Sequence, residues 1–149
     1  MRTIQMEINV AKQEELETLT NIWYESSIQA HDFIVESYWK SQKRAMKETY
    51  LPQSTTYVIR DQSHIVGFLS MVDHVIAALF VDVTKQKKGY GKELLNFAKQ
   101  QNDVVTLNVY KKNTSAIRFY EKNGFLVKKE AIDEHTNEGE YVLEWRKDI

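Results

Sequence analysis

The chain has 149 residues, 42% of them hydrophobic and 28% charged, a size and composition that suit one globular domain spanning residues 1–149. Its formal net charge of −1 lacks the basic excess that extended contact with DNA or RNA requires, so no nucleic-acid partner is expected. The sequence has no cysteine, which excludes disulfides, thiolate metal sites and an acyl-cysteine intermediate, and we predict no metal site.

The first third of the chain predicts one strand and two helices. Apolar and polar residues alternate over residues 3–10, which indicates a half-buried strand. Apolar side chains recur at three- and four-residue steps over residues 11–29, which indicates an amphipathic helix. A second helix is expected over residues 36–50, and Leu51 should leave the helical region because it precedes Pro52.

The remaining elements are mostly strands. Residues 55–60 and 65–73 are rich in strand-forming side chains and are joined by a polar hairpin turn, and residues 77–83 form the next apolar run. We then predict a helix over 93–101, a strand over 104–110, a helix over 114–123 ending at a left-handed Gly124, and strands over 125–132 and 140–146. The order βααβββαβαββ predicts an α+β fold with a mixed, mainly antiparallel sheet and helices on both sides.

No apolar run approaches the length of a membrane helix or the core of a signal peptide. We therefore expect a cytoplasmic protein without membrane contact.

A glycine-containing loop lies between the apolar run 77–83 and the following helix. Gly89 and Gly91 permit a tight turn, and a helix N-terminus presents unpaired N–H groups to an anion. Positive charge surrounds the same point, from Lys87, Lys88 and Lys92. The pattern favours a phosphate or pyrophosphate ligand, with a plain turn carrying solvated lysines as the alternative.

Two motifs resemble those of the GNAT acetyltransferase superfamily. Gln86, Gly89 and Gly91 match its pyrophosphate loop, Gln/Arg-x-x-Gly-x-Gly/Ala, after an apolar strand. The segment 113–125 is similar to its second hallmark, Asn-x-x-Ala-x-x-Phe-Tyr followed by Gly-Phe. The two motifs stand in the expected order and together cover about a third of the chain, residues 77–125.

The resemblance implies the GNAT fold and acetyl-CoA as cosubstrate, bound where the fourth and fifth strands separate. Backbone groups of the fourth strand would bind the pantetheine arm, and by position these belong to Phe80, Val81 and Val83. The loop would bind the pyrophosphate, through Gln86, Lys87, Lys88, Gly89, Gly91 and Lys92. The second motif would contribute Asn113, Ala116, Phe119 and Tyr120, with Asn113, Ala116 and Tyr120 on one helix face.

Tyr120 is the expected general acid, because a phenol with a pKa near 10 is protonated at neutral pH and can give its proton to the leaving thiolate. A buried aromatic with a satisfied hydroxyl is the alternative. His74 is the first candidate for a general base, with His31 and Asp32 as further candidates. Trp23, His31 and Asp32 are the expected acceptor-site residues, although an aromatic residue at helical spacing is often only core.

The expected function is transfer of acetyl from acetyl-CoA to a primary amine by direct attack, without an acyl-enzyme. The alternative is a CoA-binding module of the same fold that catalyses nothing. The acceptor is expected to be a small-molecule amine or an amine of a peptide or protein. The sequence leaves its identity open, and also leaves open whether the protein is a monomer or a homodimer.

Overall fold

A seven-stranded mixed sheet is the centre of the fold in a computed structural model of the chain, which describes residues 6–148. Its strands lie in the order β1-β2-β3-β4-β5-β7-β6. They are β1 (Met6–Val10), β2 (Thr55–Asp61), β3 (His64–Val72), β4 (Val75–Val81), β5 (Val104–Tyr110), β6 (Leu126–Asp133) and β7 (Glu138–Arg146). Only β4 and β5 pair in parallel among these strands, so the predicted mixed, mainly antiparallel sheet is confirmed.

Helices cover both faces of the sheet. They are α1 (Leu16–Ala30), α2 (Glu36–Ser41), α3 (Lys43–Ala45), α4 (Leu51–Gln53), α5 (Tyr90–Gln101) and α6 (Thr114–Lys122), with 3-10 turns at Gln13–Glu15 and Val83–Lys85 and a π-helix at Met46–Tyr50. Within residues 6–148, no helix combines the length and the apolar character needed to cross a bilayer.

Strand alternation divides the core between the two faces. Val58 and Phe68 are fully buried and pack with the α1 side chains, whereas Ile59 and Leu69 point to the other face and pack with α5. Burial of each such side chain contributes roughly 1.5–3 kcal/mol. The sheet is therefore fixed between two apolar layers, and its β4–β5 junction is held in place from both sides.

The second predicted helix differs from expectation at Pro52. Leu51 remains in the right-handed helical region, with φ −63° and ψ −46°, and helical structure continues to Gln53. The π-helix before Leu51 ends one helical segment, so Pro52 lies in the first turn of the next one. A missing N–H is harmless in a first turn, which explains why the proline does not end the helix there.

Several predicted boundaries shift by a few residues. The strand predicted from residue 3 is described from Met6, and residues 3–5 lie outside the described part of the chain. Strand β4 ends at Val81, so Val83 lies in a 3-10 turn instead of the strand. Helix α5 already begins at Tyr90. The left-handed cap is confirmed, because Gly124 has φ +91°.

Candidate active site

The parallel junction between β4 and β5 opens after two residue pairs. Val75 pairs with Thr106 and Ile76 with Leu107, and beyond them the strands separate. A β-bulge lies at the same point, because Ser70 of β3 pairs with Ala78 and Met71 with Ile76, which leaves Ala77 as an extra residue. A bulge increases local twist and bends the strand, so it turns β4 away from β5.

The bulge also decides which backbone groups of β4 face the opening. The N–H of Asp82 donates to Val66 O of β3 at 2.8 Å, so alternation directs the backbone of Phe80 toward β3 as well. The groups of Leu79 and Val81 therefore face the opening. This corrects the assignment of Phe80, whose side chain nevertheless lines the adjoining cavity.

The loop before α5 has the backbone of an anion site. Lys87 and Gly89 have φ of +65° and +87°, which curls the loop over the helix N-terminus. The first helical bond runs from Glu93 N–H to Gly89 O at 3.1 Å, so the N–H groups of Gly91 and Lys92 lie outside the helix ladder. Gln86, Lys87 and Lys88 are exposed around this curl. The observed curl at the start of a 12-residue helix suits a pyrophosphate.

Tyr90 anchors this loop, a role that the sequence analysis missed. Its side chain is buried in the core and its hydroxyl donates a hydrogen bond to the carboxylate of Asp61 at the end of β2. An aromatic residue in the first turn of the helix offered no signal of this long-range contact.

Helix α6 presents the predicted face to the opening. Asn113 caps the helix, its Oδ1 accepting from the N–H of Ala116 at 3.2 Å, and Asn113, Ala116 and Tyr120 all line one cavity. Phe119 lies beside the loop, since a Cβ placed on Gly91 would be 3.4 Å from Phe119 Cζ. The second motif and the glycine loop are thus brought together.

Tyr120 is buried, and its ring packs 5.5 Å from that of Phe125. Among residues 6–148 its hydroxyl has no hydrogen-bond partner, although the side chain lines the cavity. Burial raises the pKa of this phenol above its ordinary value. The hydroxyl is therefore protonated at neutral pH and available to a ligand.

The cavity has a volume of about 650 Å³ and continues from Tyr120 to the helices on the opposite side. Trp23, Trp39 and His31 form its wall there, together with Tyr38 and Tyr110. Of the predicted acceptor-site residues, Trp23 and His31 are thus present at the cavity. Asp32 and His74 lie on exposed turns and are not part of its lining, so the geometry gives no support to either as a base.

His31 is neutral in this setting. Its ring is buried against Trp39 and Tyr110, at centroid distances of 5.3 and 5.0 Å, and burial lowers its pKa to about 4. Its Nε2 lies 3.2 Å from Nδ2 of Asn113. Because the Asn113 oxygen is used by the helix cap, the amide donates to Nε2, and the ring proton is on Nδ1. His31 is therefore a poor proton acceptor.

Glu140 is a cavity residue that the sequence analysis did not identify. It lies on β7 opposite Tyr110 of β5, lines the cavity and accepts a hydrogen bond from Nδ2 of Asn108 at 3.3 Å. Burial, together with the negative charge of nearby Asp133, raises the pKa of its carboxyl group. Tyr110 lines the cavity and donates to Asp133, which lies behind it outside the lining, so Glu140 is the carboxylate that the cavity presents at this end.

Comparison with known proteins decides the family. A family model described as an acetyltransferase (GNAT) domain matches residues 52–127, about half of the chain. The chain is 30% identical to the peptidyl-lysine N-acetyltransferase YiaC of Escherichia coli over 139 residues, covering 93% of this chain and 95% of that protein. The chain belongs to the GNAT acetyltransferase family. Peptidyl-lysine N-acetyltransferase YjaB of Salmonella typhimurium is 34% identical over 125 residues, 82% of this chain and 86% of that protein.

Solved structures agree with this family assignment. The apo form of YjaB from Escherichia coli superposes with a TM-score of 0.85 at 27% identity, covering 94% of this GNAT chain and 97% of that one. The PaiA N-acetyltransferase from Thermoplasma acidophilum, solved with coenzyme A, superposes with a TM-score of 0.78 at 25% identity, covering 95% of this chain and 98% of that one. The predicted GNAT fold is confirmed. Within residues 6–148 of this GNAT protein, no three His, Cys, Asp or Glu side chains converge as metal ligands would.

Proposed function

We propose that the protein transfers the acetyl group of acetyl-CoA to the side-chain amine of lysine in peptides or proteins. One observation carries the proposal: the opened part of β4, Tyr120 and Glu140 all line a single cavity. A thioester and an amine can therefore reach each other between a proton donor and a proton acceptor.

The residues present fit acetyl-CoA. The curled loop at residues 86–92 and the N-terminus of α5 offer backbone N–H groups to the pyrophosphate, and charge-assisted bonds of this kind are about twice as strong as neutral ones. The backbone of Leu79 and the N–H of Val81 face the opening, where the pantetheine arm would pair with them as an added strand. The carbonyl of Val81 already accepts from Ser26 Oγ at 3.1 Å.

The transfer is direct. The amine nitrogen forms a bond to the thioester carbon, the carbon–sulfur bond breaks, and the thiolate leaves with the bonding pair. Tyr120 gives its phenolic proton to that thiolate and is reprotonated from solvent. The nitrogen loses one proton before attack and a second as the amide forms, and both return to solvent through the proton acceptor, so the net reaction releases one proton. Burial keeps this phenol protonated until the thiolate forms, and its hydroxyl, unpaired among residues 6–148, is free to donate to it.

Glu140 is the proposed proton acceptor. A lysine amine has a pKa of about 10.4, so forming the neutral nucleophile at pH 7 costs about 4.6 kcal/mol. A half-buried carboxylate attracts the ammonium and, because its pKa is raised, accepts a proton more readily than an exposed carboxylate. The proton passes to Glu140 directly or through one water molecule.

A lysine side chain suits the shape of the site. The relatives YiaC and YjaB are peptidyl-lysine N-acetyltransferases. In this protein a flexible apolar stem would pass the aromatic side chains of Tyr38, Tyr50 and Tyr110 that line the cavity. No Lys or Arg is among the described residues of the lining, so a cationic amine meets no like charge there.

The test is thiol release from acetyl-CoA with a panel of acceptors. The panel pairs a lysine peptide with the same peptide carrying arginine, and adds free amino acids and polyamines. Release with the lysine peptide alone, and mass spectrometry that locates acetyl on its side chain, is the expected result. Transfer to polyamines or α-amines only would reject the lysine acceptor. Coenzyme A binding without release on any amine would instead favour the CoA-binding module that catalyses nothing.

A further inference from the structure

Three buried polar groups on the α1 and α2 side of the cavity have no hydrogen-bond partner among the described residues. They are Ser27 Oγ, His31 Nδ1 and Trp39 Nε1. Their residues are 0%, 8% and 6% exposed, and all three line the cavity. Buried polar groups are nearly always paired, so three unpaired ones on one cavity indicate a missing partner. We call these three residues the donor cluster.

The members of the donor cluster are neighbours. Ser27 and His31 lie one turn apart on α1, where the N–H of His31 donates to Ser27 O at 2.8 Å. The Trp39 ring lies 5.3 Å from that of His31 and 5.8 Å from that of Trp23, one turn before Ser27. The indole therefore lies along the same face of α1 that carries the other two groups.

The cluster consists of donors. An indole N–H only donates, and a serine hydroxyl can rotate to donate. The Nδ1 of His31 also carries a hydrogen, because its Nε2 accepts from the amide of Asn113. The missing partner must therefore be a hydrogen-bond acceptor.

The charge of the surroundings limits which kind of hydrogen-bond acceptor can bind there. Glu140 lines the same cavity, and the described lining contains no Lys or Arg to balance an anion. A carboxylate or phosphate would therefore be repelled, whereas an uncharged oxygen acceptor would not. We propose that Ser27, His31 and Trp39 form a subsite for an uncharged carbonyl oxygen of a substrate.

The proposal rests on the proposed function, because both substrates of that reaction carry such an oxygen. One source is the thioester carbonyl of acetyl-CoA, and the other is an amide carbonyl of the peptide acceptor. Coenzyme A lacks the thioester carbonyl and is otherwise the same ligand, so comparing the two ligands distinguishes the sources.

The experiment is calorimetric titration of the wild type, Trp39→Phe and Ser27→Ala with acetyl-CoA and with coenzyme A. Each variant removes one donor and keeps most of the side-chain volume. Trp145→Phe is the matched control, since Trp145 lies on β7 outside the cavity lining. One lost hydrogen bond to a neutral oxygen should weaken binding about five- to tenfold.

Two outcomes support the subsite. If it holds the thioester carbonyl, Trp39→Phe and Ser27→Ala bind acetyl-CoA about five- to tenfold more weakly and coenzyme A unchanged. If it holds the acceptor amide, both affinities stay unchanged and the KM for the lysine peptide rises about fivefold.

Two other outcomes overturn it. Variants with unchanged affinities and unchanged KM would show that the donor cluster is only hydrated. Variants that lose acetyl-CoA and coenzyme A affinity equally would reject both proposed sources, because packing or groups that the two ligands share, such as the pantetheine amides, would then account for the loss. The ratio of the two affinities needs no turnover, so the thioester arm remains testable even if the wild type acetylates no lysine peptide.

Discussion

The two halves of the cavity are built in different ways. On the α5 and α6 side, the proposed ligand-binding groups are backbone N–H groups and one helix face, supplied by segments 86–92 and 113–120. On the α1 and α2 side, the groups are side chains brought together from distant parts of the chain, such as His31 after α1 and Tyr110 of β5, whose ring centroids are 5.0 Å apart. A backbone site needs a local turn, whereas a side-chain site needs the whole fold.

In the proposed function, acetyl-CoA binding therefore uses mainly backbone groups, whereas recognition of the acceptor amine uses side chains. Backbone groups of the glycine loop would bind a pyrophosphate whatever the neighbouring side chains are, so the loop itself should tolerate substitution wherever its turn survives. The proposed acceptor half, on the α1 and α2 side, would depend on single atoms, among them the carboxylate of Glu140. Mutations on one side should therefore leave the function of the other side intact.

The largest effect is expected from Tyr120→Phe, which removes the proposed proton donor and keeps the buried ring. We expect kcat to fall about 10³-fold, a loss typical of a general acid, while the Kd for coenzyme A stays unchanged. Steady-state kinetics and calorimetry measure the two quantities. Phe119→Leu, beside the glycine loop, is the opposite control, because it should weaken coenzyme A binding more than kcat. Equal losses of binding and kcat in Tyr120→Phe would make the tyrosine a packing residue.

A smaller effect is expected from Glu140→Gln on the acceptor side. The amide keeps the side-chain size but neither attracts an ammonium nor accepts its proton, so kcat/KM for the lysine peptide should fall about 10²-fold. The loss should shrink as pH rises and the free amine becomes abundant. Glu130→Gln makes the same charge change on exposed β6, where Glu130 pairs with Lys111, and should be neutral. A pH-independent loss in Glu140→Gln would argue against proton transfer.

The same contrast explains what the sequence predicted and what it missed. Gly89 and the Asn113 to Tyr120 face were predictable because each is a short motif. Glu140 was missed because its place at the cavity depends on the pairing register of β7 with β5, which no local pattern encodes. We expected the backbone of Phe80 at the opening, whereas the backbone of Leu79 faces it. The cause is the extra residue Ala77, which reverses which backbone groups of β4 point toward β3 and which point toward the opening.

The buried His31 should make the stability of the folded protein depend on pH. Its folded-state pKa of about 4 lies below the ordinary 6.5, so the unfolded chain binds more protons between these values and stability falls as pH falls. Lowering pH from about 7.5 to about 5 should therefore cost about 2 kcal/mol through this residue. Urea unfolding at both pH values measures this change in the free energy of unfolding. His31→Gln should remove this part of the pH dependence, and an unchanged dependence would assign it to other groups.

The smallest effect concerns the backbone of the glycine loop, on the α5 and α6 side of the cavity. Gly89 has φ +87°, and a Cβ there would meet no atom within 4 Å, so Gly89→Ala introduces backbone strain without a clash. We expect a loss of about 1 kcal/mol in unfolding free energy and weaker binding of coenzyme A, because the curl of the loop relaxes. Urea unfolding and calorimetry check the two effects.

Gly91→Ala is the matched control two residues further on. Gly91 is helical and its new Cβ would lie in ordinary contact with Phe119, so the substitution should keep coenzyme A affinity and leave stability equal or higher by up to about 1 kcal/mol. The two variants make the same chemical change, and only the one at Gly89 places the new side chain on a left-handed backbone. If Gly89→Ala also kept its stability and its affinity, the backbone of the loop would not be the binding element, and the charges of Lys87, Lys88 and Lys92 would have to account for pyrophosphate recognition instead.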